Sequence, residues 1–433
     1  MIKIRVLSQL TAGERSSIMR RAQADIDGVK DAAAKIIGDI RDGGDKALAE
    51  YAERFDFGGS PFTGLRCGRA EFDEASVNIS GEVVAALRHA YRNILEFHKR
   101  QLPVPLWFTE VEASVFAGER ITPIDRVALY VPGGKGFFPS VMLMLGVPAQ
   151  VAGVPSVAVC TPPTRDGKVD PAVILAAQFC GITEVYKMAG AQAIAAMAIG
   201  TETIKKVDKI IGPCSIYAAA AKRLLANVVD VGVPAGPSES IIVADESADP
   251  SVVTLDLAIE AEHGSDSAAT LVTHDRNLVE RVSSLLPVQL ERIPVKRREF
   301  IESALTRYGG VMVTDNLTES IAFVNEYAPE HLELLVKDPF ETMWQIRNAG
   351  EILLGPHTPI SAANFCIGLN AILPTGGFAR SYSCVSVHDF MKRTGIGYLG
   401  KSGFSRLKGS TAVLANYEGF PAHALAVSDR PTD

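Results

Sequence analysis

Glu330 and His331 stand side by side directly after a proline, in the stretch Asn325-Glu326-Tyr327-Ala328-Pro329-Glu330-His331-Leu332-Glu333. An imidazole titrates near neutrality, and a neighbouring carboxylate can orient it or handle a different proton, so the pair suits acid/base chemistry. Pro329 turns the residue before it away from helix, which predicts a bend from which both side chains can be aimed into a cleft. The same dipeptide also fits a solvated helix start. Glu260 and His263 form a second candidate, in Glu260-Ala261-Glu262-His263 on a helix opened by Asp249-Pro250. Three residues apart on a helix they are neighbours on one face, an arrangement that serves two ligands of one metal or an ordinary solvated surface. Near the C-terminus Glu418-Gly419-Phe420-Pro421-Ala422-His423 supplies one more acid and imidazole.

The loop Tyr130-Val131-Pro132-Gly133-Gly134-Lys135-Gly136 follows a predicted strand and precedes a predicted helix, where backbone N–H groups can approach phosphate oxygens. It matches neither G-x-G-x-x-G, because Pro139 stands where the third glycine would fall, nor the P-loop pattern. A tight turn from strand to helix accounts for the glycines equally well.

These groups need a frame. At 433 residues, 47% hydrophobic and 21% charged, the chain has the composition of an ordinary globular protein too long for one core. A formal net charge of -7, with basic runs that stay as short as Lys205-Lys206 and Lys296-Arg297-Arg298, argues against a nucleic-acid surface. Six cysteines without a C-x-x-C pair read as reduced thiols in a cytoplasmic protein. The uncharged run 141–160 is long enough for a membrane span. Pro148, Gly153 and Pro155 break it, so a buried helix, a turn and a buried strand fit better, and no membrane is expected. From residue 16 to about 55 the chain is charged and helix-rich with a Gly43-Gly44 break, and 82–99 is an amphipathic helix on which His89 and His98 read as surface or interface residues.

Beyond residue 126, short β-branched runs alternate with alanine-rich helices. Strands are predicted at 127–131, 156–160, 184–187 and 209–211, and again at 240–244, 269–273, 311–313, 332–336 and 351–354, with helices between them. Strands separated by helices predict βαβ units and parallel sheets.

Read together, Tyr130-Val131-Pro132-Gly133-Gly134, Gly190-Ala191-Gln192-Ala193-Ile194-Ala195-Ala196, Val207-Asp208-Lys209-Ile210-Ile211-Gly212-Pro213, Ala235-Gly236-Pro237-Ser238-Glu239, Ala261-Glu262-His263-Gly264, Ala328-Pro329-Glu330-His331-Leu332, Leu373-Pro374-Thr375-Gly376-Gly377 and Glu418-Gly419 followed by Ala422-His423 resemble the histidinol dehydrogenase family, in order and spacing across nearly the whole chain. The resemblance implies an α/β fold with two Rossmann-like parallel-sheet domains. These are 28–128 plus 240–385, with the metal and acid/base residues, and 129–239, which binds NAD. A helical arm at 1–27 and a small C-terminal tail at 386–433 flank them.

It also implies a homodimer with shared active sites, one zinc ion per subunit, and NAD-linked oxidation of an alcohol to an aldehyde and on to an acid. On that reading Glu330 and His331 are the acid/base pair. His331 takes the hydroxyl proton, and Glu330 activates water for the second oxidation. Tyr130, Gln192 and Ser215 occupy cofactor-contacting positions, Ser215 where relatives have asparagine. Substrate contacts fall at Ser238, Glu260, His263, Glu330, His331, Asn364, Glu418 and His423, the last two from the partner's tail. Zinc ligands fall at Glu260, His263, Asn364 and His423.

The family's usual ligands are Gln, His, Asp and His, so this chain has exchanged an amide and a carboxylate between two positions. The exchange leaves two imidazoles, two oxygen donors and one negative charge, which preserves the electrostatics of a zinc site. Where relatives carry an acid, a tyrosine and a histidine, this chain has Ile360, Phe365 and Ala371. Lost polar groups change substrate recognition. The expected substrate is therefore a small polar alcohol other than histidinol, with a sulfonated diol such as dihydroxypropanesulfonate first, in a branch similar to sulfopropanediol dehydrogenase. Histidinol itself and a catalytically silent dimeric binding protein are the alternatives.

Overall fold

The structure, a computed structural model, describes residues 2–21, 27–133 and 136–431. Its strands are β1 (Ile4–Val6), β2 (Leu106–Glu112), β3 (Val115–Pro123), β4 (Arg126–Tyr130), β5 (Ser156–Thr161), β6 (Glu184–Lys187), β7 (Lys209–Ile211), β8 (Glu239–Ala244), β9 (Ala268–Thr273), β10 (Gly310–Val313), β11 (His331–Leu335), β12 (Glu351–Leu354) and β13 (Met391–Leu399). Two compact units result, Met1–Gln101 with Asp125–Phe390, and Leu102–Ile124 with Met391–Asp433.

The first unit holds two parallel sheets. One is six-stranded in the order β1-β10-β9-β8-β11-β12, the other four-stranded in the order β6-β5-β4-β7. Strands of such sheets are covered on both faces, so they read as continuous apolar runs. In β8 the alternation sorts the two faces. Ile242 and Ala244 pack with Leu271 and Leu257 on one side, Ile241 and Val243 with Phe323 and Tyr327 on the other. The four-stranded sheet is packed by the alanine-rich helices Gly190–Ile199 and Ile216–Leu225, whose small side chains let helix and sheet approach closely.

The uncharged run at 141–160 folds as the helix Pro139–Ala152, a left-handed Gly153 (φ 76°) and β5, and no helix among the described residues is long and apolar enough to cross a membrane. The long helix Lys30–Ala52 breaks at Gly44, whose φ of 54° and ψ of -137° are not helical.

Three features differ from the sequence reading. The start of the chain is not helical throughout, because Ile4–Val6 pairs in parallel with β10 as an edge strand before the helix Ala12–Arg20 begins. No element was expected at 102–124, yet β2 and β3 form an antiparallel hairpin extended by β13. Every residue of β2 is exposed in the single chain, so its sequence carries no buried, alternating stripe. His98 is not a surface residue. It is fully enclosed, with Nδ1 bonded to Ile94 O at 2.9 Å and Nε2 opposite Asn370 Nδ2 at 3.2 Å, and burial lowers its pKa.

Candidate functional site

Ligands of open α/β sheets usually sit outside the carboxyl ends of the strands. In the six-stranded sheet the candidate residues cluster instead at the amino ends, where Glu239 opens β8, His331 opens β11 and Glu351 opens β12. The connection explains this. Asp249 caps the helix Pro250–Ile259 by accepting from Ser251 N at 2.8 Å, and the helix leads back from the end of β8 towards the start of β9. Its end delivers the turn Glu260–His263 to the amino edge. That turn is a 3₁₀ segment rather than a continued α-helix, and in a 3₁₀ turn residues i and i+3 eclipse one another.

Glu260 is fully buried. His263 Nδ1 lies 3.0 Å from Glu260 Oε2 and 2.9 Å from Ser238 Oγ, while Asn364, from the short helix Ile360–Phe365, donates its Nδ2 to Glu260 Oε1 at 2.9 Å. Two oxygens in this group are buried without a well-aligned hydrogen-bond donor, Asn364 Oδ1 and Glu260 Oε2, and the second is met by the His263 imidazole at 3.0 Å. Buried acceptors are almost always satisfied, and a cation satisfies such an oxygen without a donor. Among the described residues no three His, Cys, Asp or Glu side chains group as metal ligands, so the fit to zinc rests on the Asn364 amide joining Glu260 and His263.

Glu330 and His331 are both buried, which excludes a solvated helix start. Ala328 takes a left-handed conformation (φ 54°) that ends the helix Leu317–Tyr327, and the chain bends through Pro329 into β11. Glu330 Oε2 accepts from Glu239 N at 2.8 Å. His331 Nε2 faces Glu330 Oε1 at 3.8 Å and Glu260 Oε1 at 3.9 Å, and its Nδ1 meets Glu351 Oε1 at 2.6 Å. Burial disfavours the imidazolium, but Glu260, Glu330 and Glu351 outweigh it and push the His331 pKa up to about 10. Burial also opposes ionisation of Glu260, yet His331, His263 and the Asn364 amide hold it down at about 2. Glu330 is lifted well above the carboxylate range, first by burial and then by Glu260, against the pull of His331. Two carboxyls with opposite shifts flank one imidazole, the pattern of a site that divides acid and base tasks.

At the carboxyl edge of the four-stranded sheet, Tyr130 ends β4 and its hydroxyl accepts from Gly190 N at 2.9 Å. Gln192 is buried at the start of its helix and donates Nε2 to Asp56 Oδ2 at 3.0 Å. Burial raises Asp56 to about 7, against the Gln192 and Ala189 N–H donors. Ser215 is exposed and caps the next helix, accepting from Ala218 N. Gly134 and Lys135 of the glycine loop lie outside the described residues. Glu418 and His423 belong to the second unit, where both are exposed and the His423 ring lies 5.4 Å from Phe420.

The Histidinol dehydrogenase family model matches residues 19–431. The chain is 53% identical over 430 residues to a histidinol dehydrogenase of Synechocystis sp., covering 99% of each chain. It is 48% identical over 428 residues to a histidinol dehydrogenase homolog of Cereibacter sphaeroides, covering 98% of this chain and 97% of that protein. The crystal structure of histidinol dehydrogenase from Elizabethkingia anophelis superposes with a TM-score of 0.93 at 35% identity, covering 99% of this chain and 97% of that one. The chain belongs to the histidinol dehydrogenase family. It is thus an NAD-dependent oxidoreductase acting on a CH–OH group, in a family that uses zinc and NAD.

Within this family member, the three positions that suggested an altered pocket differ in kind. Ile360 is fully enclosed with Leu353 and Ala363, and its backbone N donates to Glu333 Oε1 at 2.7 Å, so its side chain belongs to the core. Phe365 is 54% exposed, and Ala371 is half-buried. Sequence reasoning missed Glu351, Glu239, Asp56 and Arg21. A carboxylate opening an otherwise apolar strand was the available signal for Glu351 and Glu239. Nothing in the sequence announced that Asp56 meets Gln192, or that Arg21 pairs with Glu239 at 2.7 Å.

Proposed function

We propose that this protein is a zinc-dependent, NAD-linked dehydrogenase that oxidises a small polar alcohol other than histidinol, in a site completed by a second copy of the chain. The observation that carries the metal assignment is the buried Asn364 Oδ1 without a donor, next to a fully buried Glu260 carboxylate that His263 meets at 3.0 Å, beside the Glu330–His331 pair. Glu260, His263 and Asn364, with His423 of the partner subunit, would hold the zinc. Bound there, zinc would polarise the alcohol oxygen and offset the Glu260 charge that keeps His331 protonated. A second copy is supported by the apolar face next to His423, where Tyr417 is 89%, Val413 68% and Leu414 60% exposed.

His331 Nε2 would accept the hydroxyl proton of the alcohol, and Glu330, once the zinc charge offsets Glu260, would take a proton from water adding to the aldehyde. NAD would supply the hydride acceptor, one molecule for each of the two oxidations. Tyr130, Gln192 and Ser215 border the cofactor; Ser238, Glu418 and His423 border the substrate. An alcohol other than histidinol is supported by Phe365 and Ala371, which offer a ligand neither phenol nor imidazole. The second reading is histidinol itself, favoured by the 53% identity to the Synechocystis histidinol dehydrogenase.

Purified protein assayed with zinc and NAD against histidinol, dihydroxypropanesulfonate and uncharged diols, following the reduced cofactor, separates the readings. We expect turnover of a diol at a kcat/KM about 100-fold above that of histidinol, on the scale by which an apolar pocket discriminates against an added polar group. Preferred oxidation of histidinol to histidine would reject the altered-substrate reading.

A further inference from the structure

Glu351 is a carboxylate with no task so far. It opens the edge strand β12 and lies directly across the parallel register from His331, the first residue of β11. Its Oε1 takes the 2.6 Å bond from His331 Nδ1, and its Oε2 is buried without a donor. The backbone holds this pairing in place. Glu351 N donates to Glu330 O at 3.0 Å and Gly350 N to Pro329 O at 2.9 Å. A Cβ on Gly350 would stand 2.5 Å from Glu330 O, so only glycine lets the two strands approach this closely just before Glu351.

From this geometry we infer that Glu351 is a positioning residue for His331. Accepting the Nδ1 proton fixes the neutral imidazole as the tautomer with its lone pair on Nε2, the nitrogen that faces Glu330 and Glu260. It also locks the ring plane, and it favours the imidazolium formed when Nε2 receives the substrate's hydroxyl proton. This is the logic of a carboxylate–histidine dyad, assembled here from two neighbouring parallel strands. Without the acceptor, Nδ1 and Nε2 share the proton between them and the base is present in the wrong tautomer part of the time.

The inference rests on the reading of His331 as the base, so both are tested together in the zinc-loaded enzyme. Glu351→Gln keeps the side-chain volume and can present an N–H to Nδ1, which favours the wrong tautomer. We expect kcat to fall about 10–100-fold, the cost seen when the carboxylate that orients a metal-bound histidine is lost. The KM values for alcohol and NAD and the zinc content should stay within twofold, and Glu351→Asp should recover part of kcat. An unchanged kcat in Glu351→Gln overturns the positioning role. So does a loss that tracks with lost zinc, lost thermal stability or a raised KM, or one that Glu351→Asp does not relieve at all. His331→Asn separates the two claims. If it retains wild-type kcat, the base assignment itself is wrong; if it is inactive while Glu351→Gln is fully active, only the role of Glu351 falls.

Discussion

Asn364 Nδ2 donates to Glu260 Oε1 at 2.9 Å, so an amide and a carboxylate separated by 104 residues of chain share one corner of the site. Asn364 Oδ1 has no donor, and Glu260 Oε2 faces His263 Nδ1 at 3.0 Å. The pair carries one negative charge in total, and charge controls how strongly a divalent cation is held.

A reciprocal exchange follows from that charge count. Glu260→Gln alone removes the negative charge and should weaken zinc binding beyond the roughly 10–100-fold cost of an outer-sphere change. Asn364→Asp alone adds a charge and should tighten it. The double variant Glu260→Gln with Asn364→Asp restores one amide and one carboxylate, and should return zinc affinity to within a few-fold of wild type. Competition with a metallochromic chelator measures all four proteins; a double variant no better than Glu260→Gln would show that the two positions do not share an ion.

Arg21 is tied to the same region from below. Its guanidinium pairs with Glu239 at 2.7 Å, bonds the Tyr327 carbonyl and lies 3.6 Å over the Tyr327 ring, with side chains 3% and 5% exposed for Arg21 and Glu239. Removing one partner of a buried pair leaves an uncompensated charge. Arg21→Met should cost about 3–5 kcal/mol in urea unfolding, and adding Glu239→Gln to it should recover part of that loss.

Much of this arrangement is legible in the sequence, and the reason is local. The apolar runs of β4, β5, β8 and β11 are bounded by turn residues, and each predicted strand falls within a residue or two of the observed one. Glu260, His263, Glu330 and His331 are visible because their spacing is short. Glu351 is invisible for the opposite reason, since its meaning depends on which strand lies beside β11 and in what register. The hairpin was missed because its first strand, β2, is exposed throughout and gives no period of burial, and His98 was misplaced because its partner Asn370 is 272 residues away.

Glu71 gives a pH-dependent test beside the four-stranded sheet, where it pairs with Lys187 of β6. Burial raises its carboxyl, but N–H bonds from Val169 and Gly68 and the buried Lys187 outweigh this and hold it below the ordinary value of 4.5. A depressed carboxylate contributes stability that is fully present above the unfolded value and is lost as pH falls through the folded one. Glu71→Gln should therefore unfold at a lower temperature than wild type at neutral pH, with the gap closing below about pH 4.5. Melting curves across that range check it, and a gap that widens towards acid would contradict the assignment.

Gln192 tests the proposed cofactor face. Its side chain is 2% exposed and anchored on Asp56, so it is held before any ligand arrives. Gln192→Ala should raise the KM for NAD about tenfold while kcat stays within twofold, the signature of lost uniform binding.

Zinc-dependent turnover decides whether Glu260, His263 and Asn364 hold a working metal. Protein stripped with a chelator should form no reduced cofactor from NAD and its alcohol, and should regain full activity as zinc is titrated to one ion per chain, with His263→Asn failing to respond. Full turnover by the stripped protein, or an undiminished zinc response in His263→Asn, would contradict that role.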